Sequence, residues 1–132
     1  YDKDHEPHMY ALDRMSEMEI LNETFEIPKS IDAEEWFSSI YGVRKYPDMK
    51  RERVVLKVYG KQVQFFRSLP LHHSQEEIET QEDFSIFTYH LTPDYDFRQD
   101  ILSFGDKVEV LKPEGLRSMI MKQIDNLINI YM

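Results

Sequence analysis

The clearest hydrophobic pattern lies at the end of the chain. Between residues 116 and 131 apolar side chains recur at steps of three and four, which predicts one amphipathic helix. Just before it, residues 107–110 alternate polar and apolar, as a half-buried strand does. Gly105 suits the left-handed position that often ends a preceding helix. We therefore expect a strand and a long final helix whose apolar stripe packs on the rest of the domain.

The middle of the chain carries a series of short segments with alternating or helical periodicity. Several of them are rich in aromatic and β-branched residues, which favour strands, and Pro70 and Pro93 mark breaks between elements. The predicted elements are a strand at 53–59, a helix at 61–68, strands at 74–80 and 84–91, and a helix at 93–104. For the last of these helices we expect Thr92 as the cap residue.

Together with the strand at 107–110, these elements give the order β-α-β-β-α-β. This split pattern predicts an α+β fold, a ferredoxin-like sandwich with an added C-terminal helix. Ahead of it, residues 9–12 and 18–21 predict a short β segment, and Asp32 with Glu35 forms the capping box of a short connector helix that ends at Gly42. We therefore divide the chain into 1–27, strands that complete an upstream domain; 28–50, a connector; and 51–132, the ferredoxin-like domain.

Charge is distributed very unevenly along the sequence. The net charge is -9, which argues against a surface devoted to duplex DNA. Residues 1–43 hold 11 acidic against 3 basic side chains, whereas residues 44–67 hold 2 acidic against 8 basic ones. This basic island is either a solvated strand edge and loop or a contact for an anion or nucleic acid. Within it Arg51, Arg53 and Lys57 are candidate ligand contacts.

Several classes of protein are disfavoured by what the sequence lacks. It has no cysteine, which excludes disulfides and thiolate metal sites and is compatible with a reducing cytoplasm. No apolar run approaches the roughly 18 residues that a membrane helix needs. Glycine-rich phosphate loops and the common hydrolase and zinc motifs are missing too. We therefore expect no catalytic residue, no metal, no cofactor and no enzyme, and keep a small enzyme on this fold as an alternative.

Two groups of polar residues could contact a ligand. His72 and Gln75 are the first and last residues of a His-His-Ser-Gln sequence at a predicted junction of loop and strand. Adjacent strand residues point to opposite faces, so His72 and His73 are not expected to share a metal ion. Arg14 follows a short apolar stretch, and its planar guanidinium suits the capture of a phosphate or carboxylate. A purely structural role for each of these residues is the alternative.

Several segments, taken in order, resemble one known family. Tyr10–Met15 looks like the closing strand of a WYL domain, the Sm-like module of many bacterial transcriptional regulators. The C-terminal extension of the WYL domain, called WCX, is similar to four further segments of the chain: Leu69–Gln75, Ile101–Gly105, Val108–Pro113 and Leu116-Arg117. The resemblance implies a WYL domain that senses a ligand and a ferredoxin-like extension that helps in ligand response and dimer assembly. DNA binding would belong to a helix-turn-helix domain outside this chain.

The resemblance turns the candidate residues into a functional hypothesis. It implies an anionic effector, a nucleotide or single-stranded nucleic acid, and a cytoplasmic homodimer without a membrane partner. Promoter DNA would be reached only through the helix-turn-helix domain. The alternative is an interaction module without any ligand. We predict these ligand-binding residues: Arg14, Arg51, Arg53, Lys57, His72 and Gln75.

Overall fold

The computed structural model of the chain describes residues 10–41 and 50–132. The chain forms two compact units, the first ending at Phe37 and the second beginning at Ser38. Within residues 50–132 the second unit holds a four-stranded sheet, three α-helices and one turn of 3₁₀ helix, Gly105–Lys107. Its elements are β1 (Glu52–Tyr59), α2 (Gln62–Ser68), β2 (Glu76–Thr80), β3 (Phe84–Leu91), α3 (Tyr95–Ser103), β4 (Val108–Lys112) and α4 (Glu114–Tyr131), and a helix α1 (Ala33–Ser38) precedes them.

The sheet confirms the predicted α+β, ferredoxin-like architecture. Its strand order is β2-β3-β1-β4, and each neighbouring pair is antiparallel. The central pair is in register from Glu52 opposite Leu91 to Tyr59 opposite Phe84. The two inner strands β1 and β3 are therefore in contact although a helix and a strand separate them in sequence. Such a pairing follows from the β-α-β-β-α-β order.

Alternate residues of β1 divide the sheet into two faces. Val54, Leu56 and Val58 are fully buried and pack with side chains of α2, α3 and α4 in one hydrophobic cluster. Arg53 and Lys57 lie at the alternate positions, and so point to the other face. We call this second face the charged face of the sheet. The largest fully buried side chains of the cluster are Tyr89, Phe66, Phe87 and Phe97.

The start of α3 differs from the prediction. Asp94, rather than Thr92, is the cap residue, because its Oδ1 accepts a hydrogen bond of 3.2 Å from the Phe97 amide. The Thr92 amide instead donates to the Ser39 carbonyl oxygen at 2.9 Å. At the other end of α3, Gly105 has a φ of 60°, the left-handed conformation expected from its lack of a Cβ atom.

Helix α4 is only partly covered, in contrast to the expectation. Leu116 is buried and Ile120 packs against the core, but Ile124, Leu127 and Ile128 are 43–48% exposed. The reason is length: 18 residues make a helix of about 27 Å, whereas the five residues of β4 span about 17 Å. The second half of the stripe therefore extends past its neighbouring strand. None of the described helices is long and apolar enough to cross a bilayer.

The first unit has little regular structure among residues 10–37. Leu12–Arg14 form one turn of 3₁₀ helix where a short β segment was predicted. A strand needs a neighbour to take its backbone hydrogen bonds, and the described part of this unit contains no other strand. The predicted connector helix is present as α1, and Asp32 Oδ1 accepts from the amides of Glu34 and Glu35 at 3.0 and 3.2 Å. The predicted helix end at Gly42 lies outside the described residues.

Candidate functional site

The first candidate residue, Arg51, lies just before β1. Its Nη2 donates a hydrogen bond of 2.7 Å to the Ser38 hydroxyl oxygen. Ser38 is the last residue of α1 and the first residue of the second unit. The guanidinium therefore meets a neutral acceptor within the second unit.

A group of histidines lies beside Arg51. His72 and His73 lie in a turn rather than on a strand, so their rings come together, with centroids 4.0 Å apart. The Ser74 amide donates to Nδ1 of His72 at 3.2 Å, which makes Nδ1 an acceptor and leaves the proton on Nε2. The Ser74 hydroxyl lies 2.7 Å from the same Nδ1 and accepts from the His90 amide at 2.9 Å. Ser74 thus ties this turn to the end of β3.

The surroundings of His72 favour its neutral form. Burial lowers the pKa of His72, the neighbouring His73 lowers it further, and Arg51 adds to the effect, while the Ser38 backbone acts in the opposite direction. The Nε2 atom of His72 is itself buried. His73, in contrast, is exposed and offers an accessible imidazole in the same place.

Arg53 adds a second exposed guanidinium. It lies directly opposite His90 in the β1–β3 register, and both side chains are exposed on the charged face of the sheet. We call the set Arg51, Arg53, His72, His73 and His90 the Arg51 corner. Within residues 10–41 and 50–132, no carboxylate forms an ion pair with either arginine of this corner. Among the described residues, the two guanidinium groups of the corner are thus not paired with a carboxylate.

Another arginine of the basic island, Arg67, is already neutralised. Its Nε and Nη2 donate to the two carboxylate oxygens of Glu77 at 2.8 and 2.6 Å, a bidentate ion pair. The pairing lowers the pKa of Glu77 to about 2, and hydrogen bonds from Ser85 and Thr80 act in the same direction. Arg67 is therefore unsuited to capture an external anion.

Lys57 also has partners within the charged face. Its Nζ lies 4.1 Å from the centroid of the Phe84 ring and 5.1 Å from that of Tyr59. The Tyr59 hydroxyl donates to Glu109 at 2.8 Å. Four residues along β1 correspond to about 13 Å, so Lys57 is separated from Arg53 on the same face. Its ammonium group is held by aromatic rings rather than left free.

Gln75 is the centre of an internal hydrogen-bond network. Its Oε1 accepts from the Tyr89 hydroxyl at 2.6 Å and from the Leu71 amide at 3.1 Å, and its Nε2 donates to the Phe66 carbonyl at 2.8 Å. Tyr89 is only 1% exposed, so its hydroxyl needs this partner. These contacts give Gln75 a structural role, which was the alternative considered from the sequence.

The structure thus sorts the predicted site residues. It brings Arg51, Arg53 and His72 to one corner, and it places Lys57 farther along the same face. Arg14 belongs to the first unit, where it ends the 3₁₀ turn at an exposed position. The sequence prediction did not include His90, whose proximity to Arg53 depends on strand register. Ser38 was also not predicted, because no local signal relates it to Arg51.

The remaining polar groups do not form a metal site in the part of the chain that is described. No group of three or more His, Asp, Glu or Cys side chains among those residues is arranged to hold a metal ion.

Comparison with known families agrees with the fold. The profile of the WCX domain matches residues 50–128. The chain belongs to the WCX domain family. The matched range contains the whole sheet and nearly all of α4, and so includes every residue of the Arg51 corner. WCX membership indicates a regulatory module of WYL-type regulators. No curated protein matches the chain by sequence.

Proposed function

We propose that this chain is the effector-sensing and dimerisation part of a cytoplasmic bacterial transcriptional regulator of the WYL type. The WCX domain is its sensor surface, and binding to promoter DNA is left to a helix-turn-helix domain of the regulator. The proposed effector is an anion, either a nucleotide or a single-stranded nucleic acid. No catalytic role is assigned to the chain.

One observation carries this proposal. The Arg51 guanidinium is hydrogen-bonded to a neutral hydroxyl instead of a carboxylate, and Arg53 is exposed nearby without an ion pair to any described residue. In a chain of net charge -9, these two arginines are basic groups that no described carboxylate pairs with. Guanidinium groups bind phosphate and carboxylate bidentately, which gives both energy and orientation.

The neighbouring imidazoles support the same ligand class. Exposed His73 and His90 can donate hydrogen bonds to an anion. A carboxylate-rich surface would repel a polyanion, so binding is expected only at this corner and should weaken as salt screens it.

The test is fluorescence anisotropy of a short labelled single-stranded oligothymidylate, titrated with the protein at two salt concentrations. We expect salt-sensitive binding that weakens about tenfold in Arg51→Ala, because a bidentate phosphate contact is lost. Arg67→Ala is the matched control, and its affinity should equal that of the wild type. Binding that is absent at low salt, or equal losses in both variants, would contradict an effector site at the Arg51 corner.

A second part of the proposal concerns dimer assembly. The exposed apolar stripe on the second half of α4 supports a contact with a second copy of the chain, because removing apolar side chains from water is favourable. We expect sedimentation velocity to detect a dimer that Leu127→Lys weakens. Asn129→Lys, on the opposite side of the helix, is the control and should leave the dimer intact. A monomeric wild type at high concentration would contradict this part.

A further inference from the structure

A short segment links Arg51 to the rest of the domain. Residues 38–41, which begin with the last residue of α1, are fixed at three points, and we call them the latch. At its start, Ser38 accepts from Arg51; in its middle, the Ser39 carbonyl accepts from the Thr92 amide at 2.9 Å. At its end, the Tyr41 hydroxyl donates to Asp100.

The latch is an ordered part of the domain. Ser39 is 8% exposed, and the Tyr41 ring packs edge-on against Phe97, with centroids 5.0 Å apart. Burial, together with the bond to Asp100, raises the pKa of Tyr41, so its hydroxyl remains a donor at any ordinary pH. The contacts of Tyr41 are with α3, whereas those of Ser38 are at the Arg51 corner.

The geometry of the guanidinium decides how the latch and an anion share Arg51. A guanidinium has two bidentate edges, and the Nη2 atom carries one N–H on each of them. Ser38 accepts a single hydrogen bond from Nη2, which leaves one edge complete. Ser38 therefore holds the side chain in a fixed orientation without occupying the edge that a phosphate needs.

We propose that docking of the latch and binding of the effector at Arg51 stabilise each other, with Ser38 as the positioning residue of the Arg51 guanidinium. This inference rests on the proposed function and assigns its regulation. An oriented guanidinium loses less side-chain entropy on binding than a mobile one. Coupling is reciprocal, so a bound anion must also hold Ser38, and with it the latch, more firmly in place.

The coupling has a consequence at Tyr41, which contacts α3 rather than the Arg51 corner. Removing its hydroxyl with Tyr41→Phe loosens the far end of the latch and should lower the affinity for oligothymidylate about fivefold, the low end of ordinary allosteric couplings. Ser38→Ala acts at the near end and should have a similar effect. Controls are Tyr95→Phe and Ser118→Ala, which alter exposed positions of α3 and α4 and should bind like the wild type.

The reverse direction is measured by amide hydrogen exchange. The Thr92 amide donates to Ser39 and so reports docking of the latch. In the wild type its exchange should slow at least severalfold at saturating oligothymidylate, since the open state becomes rarer. Unchanged Thr92 exchange, or Ser38→Ala and Tyr41→Phe affinities equal to the wild type, overturns the coupling.

The outcomes separate this inference from the proposed function. Binding that is lost in Arg51→Ala but retained in both latch variants keeps the effector site and removes the coupling. A wild type that does not bind oligothymidylate at low salt removes both. Circular dichroism of each variant verifies that the fold is intact before the affinities are compared.

Discussion

Arg67 and Arg51 belong to the same basic island but lie in different electrostatic surroundings. Arg67 donates two hydrogen bonds to Glu77, and this interaction raises the pKa of Arg67 as it lowers that of the carboxylate. Arg51 donates to a serine hydroxyl, which brings no compensating negative charge. The density of basic residues in a sequence therefore does not define an anion site. The partners that the fold supplies to each base decide which of them remain available.

The largest effect should follow from the loss of Gln75, which was predicted to bind ligand and is found inside the domain. In Gln75→Ala the buried Tyr89 hydroxyl and two backbone groups lose a partner. Because unpaired buried polar groups are costly, we expect the free energy of unfolding to fall by about 3 kcal/mol in urea titrations. Gln81→Ala, on an exposed turn, is the control. Unchanged stability combined with weaker oligothymidylate binding would return Gln75 to the ligand site.

A smaller effect is expected at Glu77, where the comparison can be reversed. Glu77→Ala removes the partner of Arg67 and of Ser85, a hydroxyl side chain that is 1% exposed. Stability should fall by about 2 kcal/mol, mainly because that buried hydroxyl is left unpaired. Arg67 then becomes unpaired, so oligothymidylate should bind more tightly than to the wild type. Glu76→Ala is the control for lost negative charge, and equal gains in both variants would show that net charge alone decides affinity.

The smallest expected effect is a loss of stability at mildly acidic pH, caused by His72. Its pKa is lowered in the folded chain, so the unfolded chain binds a proton more readily. The free energy of unfolding should therefore decrease as the pH falls below about 6.5, the ordinary histidine value, towards the lowered pKa of the folded state. His72→Gln should reduce this dependence in urea titrations between neutral and mildly acidic pH. An identical pH dependence in wild type and His72→Gln would contradict the assignment.

Local periodicity was sufficient to predict most of the domain. The alternation along β1, the β-branched and aromatic run of β3 and the stripe of α4 each depend on neighbouring residues, and the predicted elements were confirmed within a few positions. The cap of α3 was assigned to Thr92 because serine, threonine and aspartate are all suitable cap residues. In the structure the helix begins at Tyr95, so the acceptor beside its first amides is the Asp94 carboxylate rather than the Thr92 hydroxyl.

The candidate site was less predictable for the same reason. Arg51 and Arg53 could be selected from their charge, but the pairing that neutralises Arg67 joins residues ten positions apart. The placement of His90 beside Arg53 requires the register of β1 and β3. Ser38 acts through its contact with Arg51. Tyr41 acts through its contact with Asp100, which lies 59 positions away in sequence. These contacts exist only after the sheet and α3 have formed.

The most direct test of the account is to observe the two arginines in one experiment. In nitrogen-15-labelled protein, the side-chain Nε–H resonances of Arg51 and Arg67 are assigned with the Arg51→Lys and Arg67→Lys variants and followed during titration with short oligothymidylate. We expect the Arg51 resonance to shift and saturate, because a phosphate binds its free edge, while the Arg67 resonance stays in place. A shift of Arg67 with Arg51 unchanged, or no shift of either at low salt, would contradict the claim that Arg51 forms the effector site.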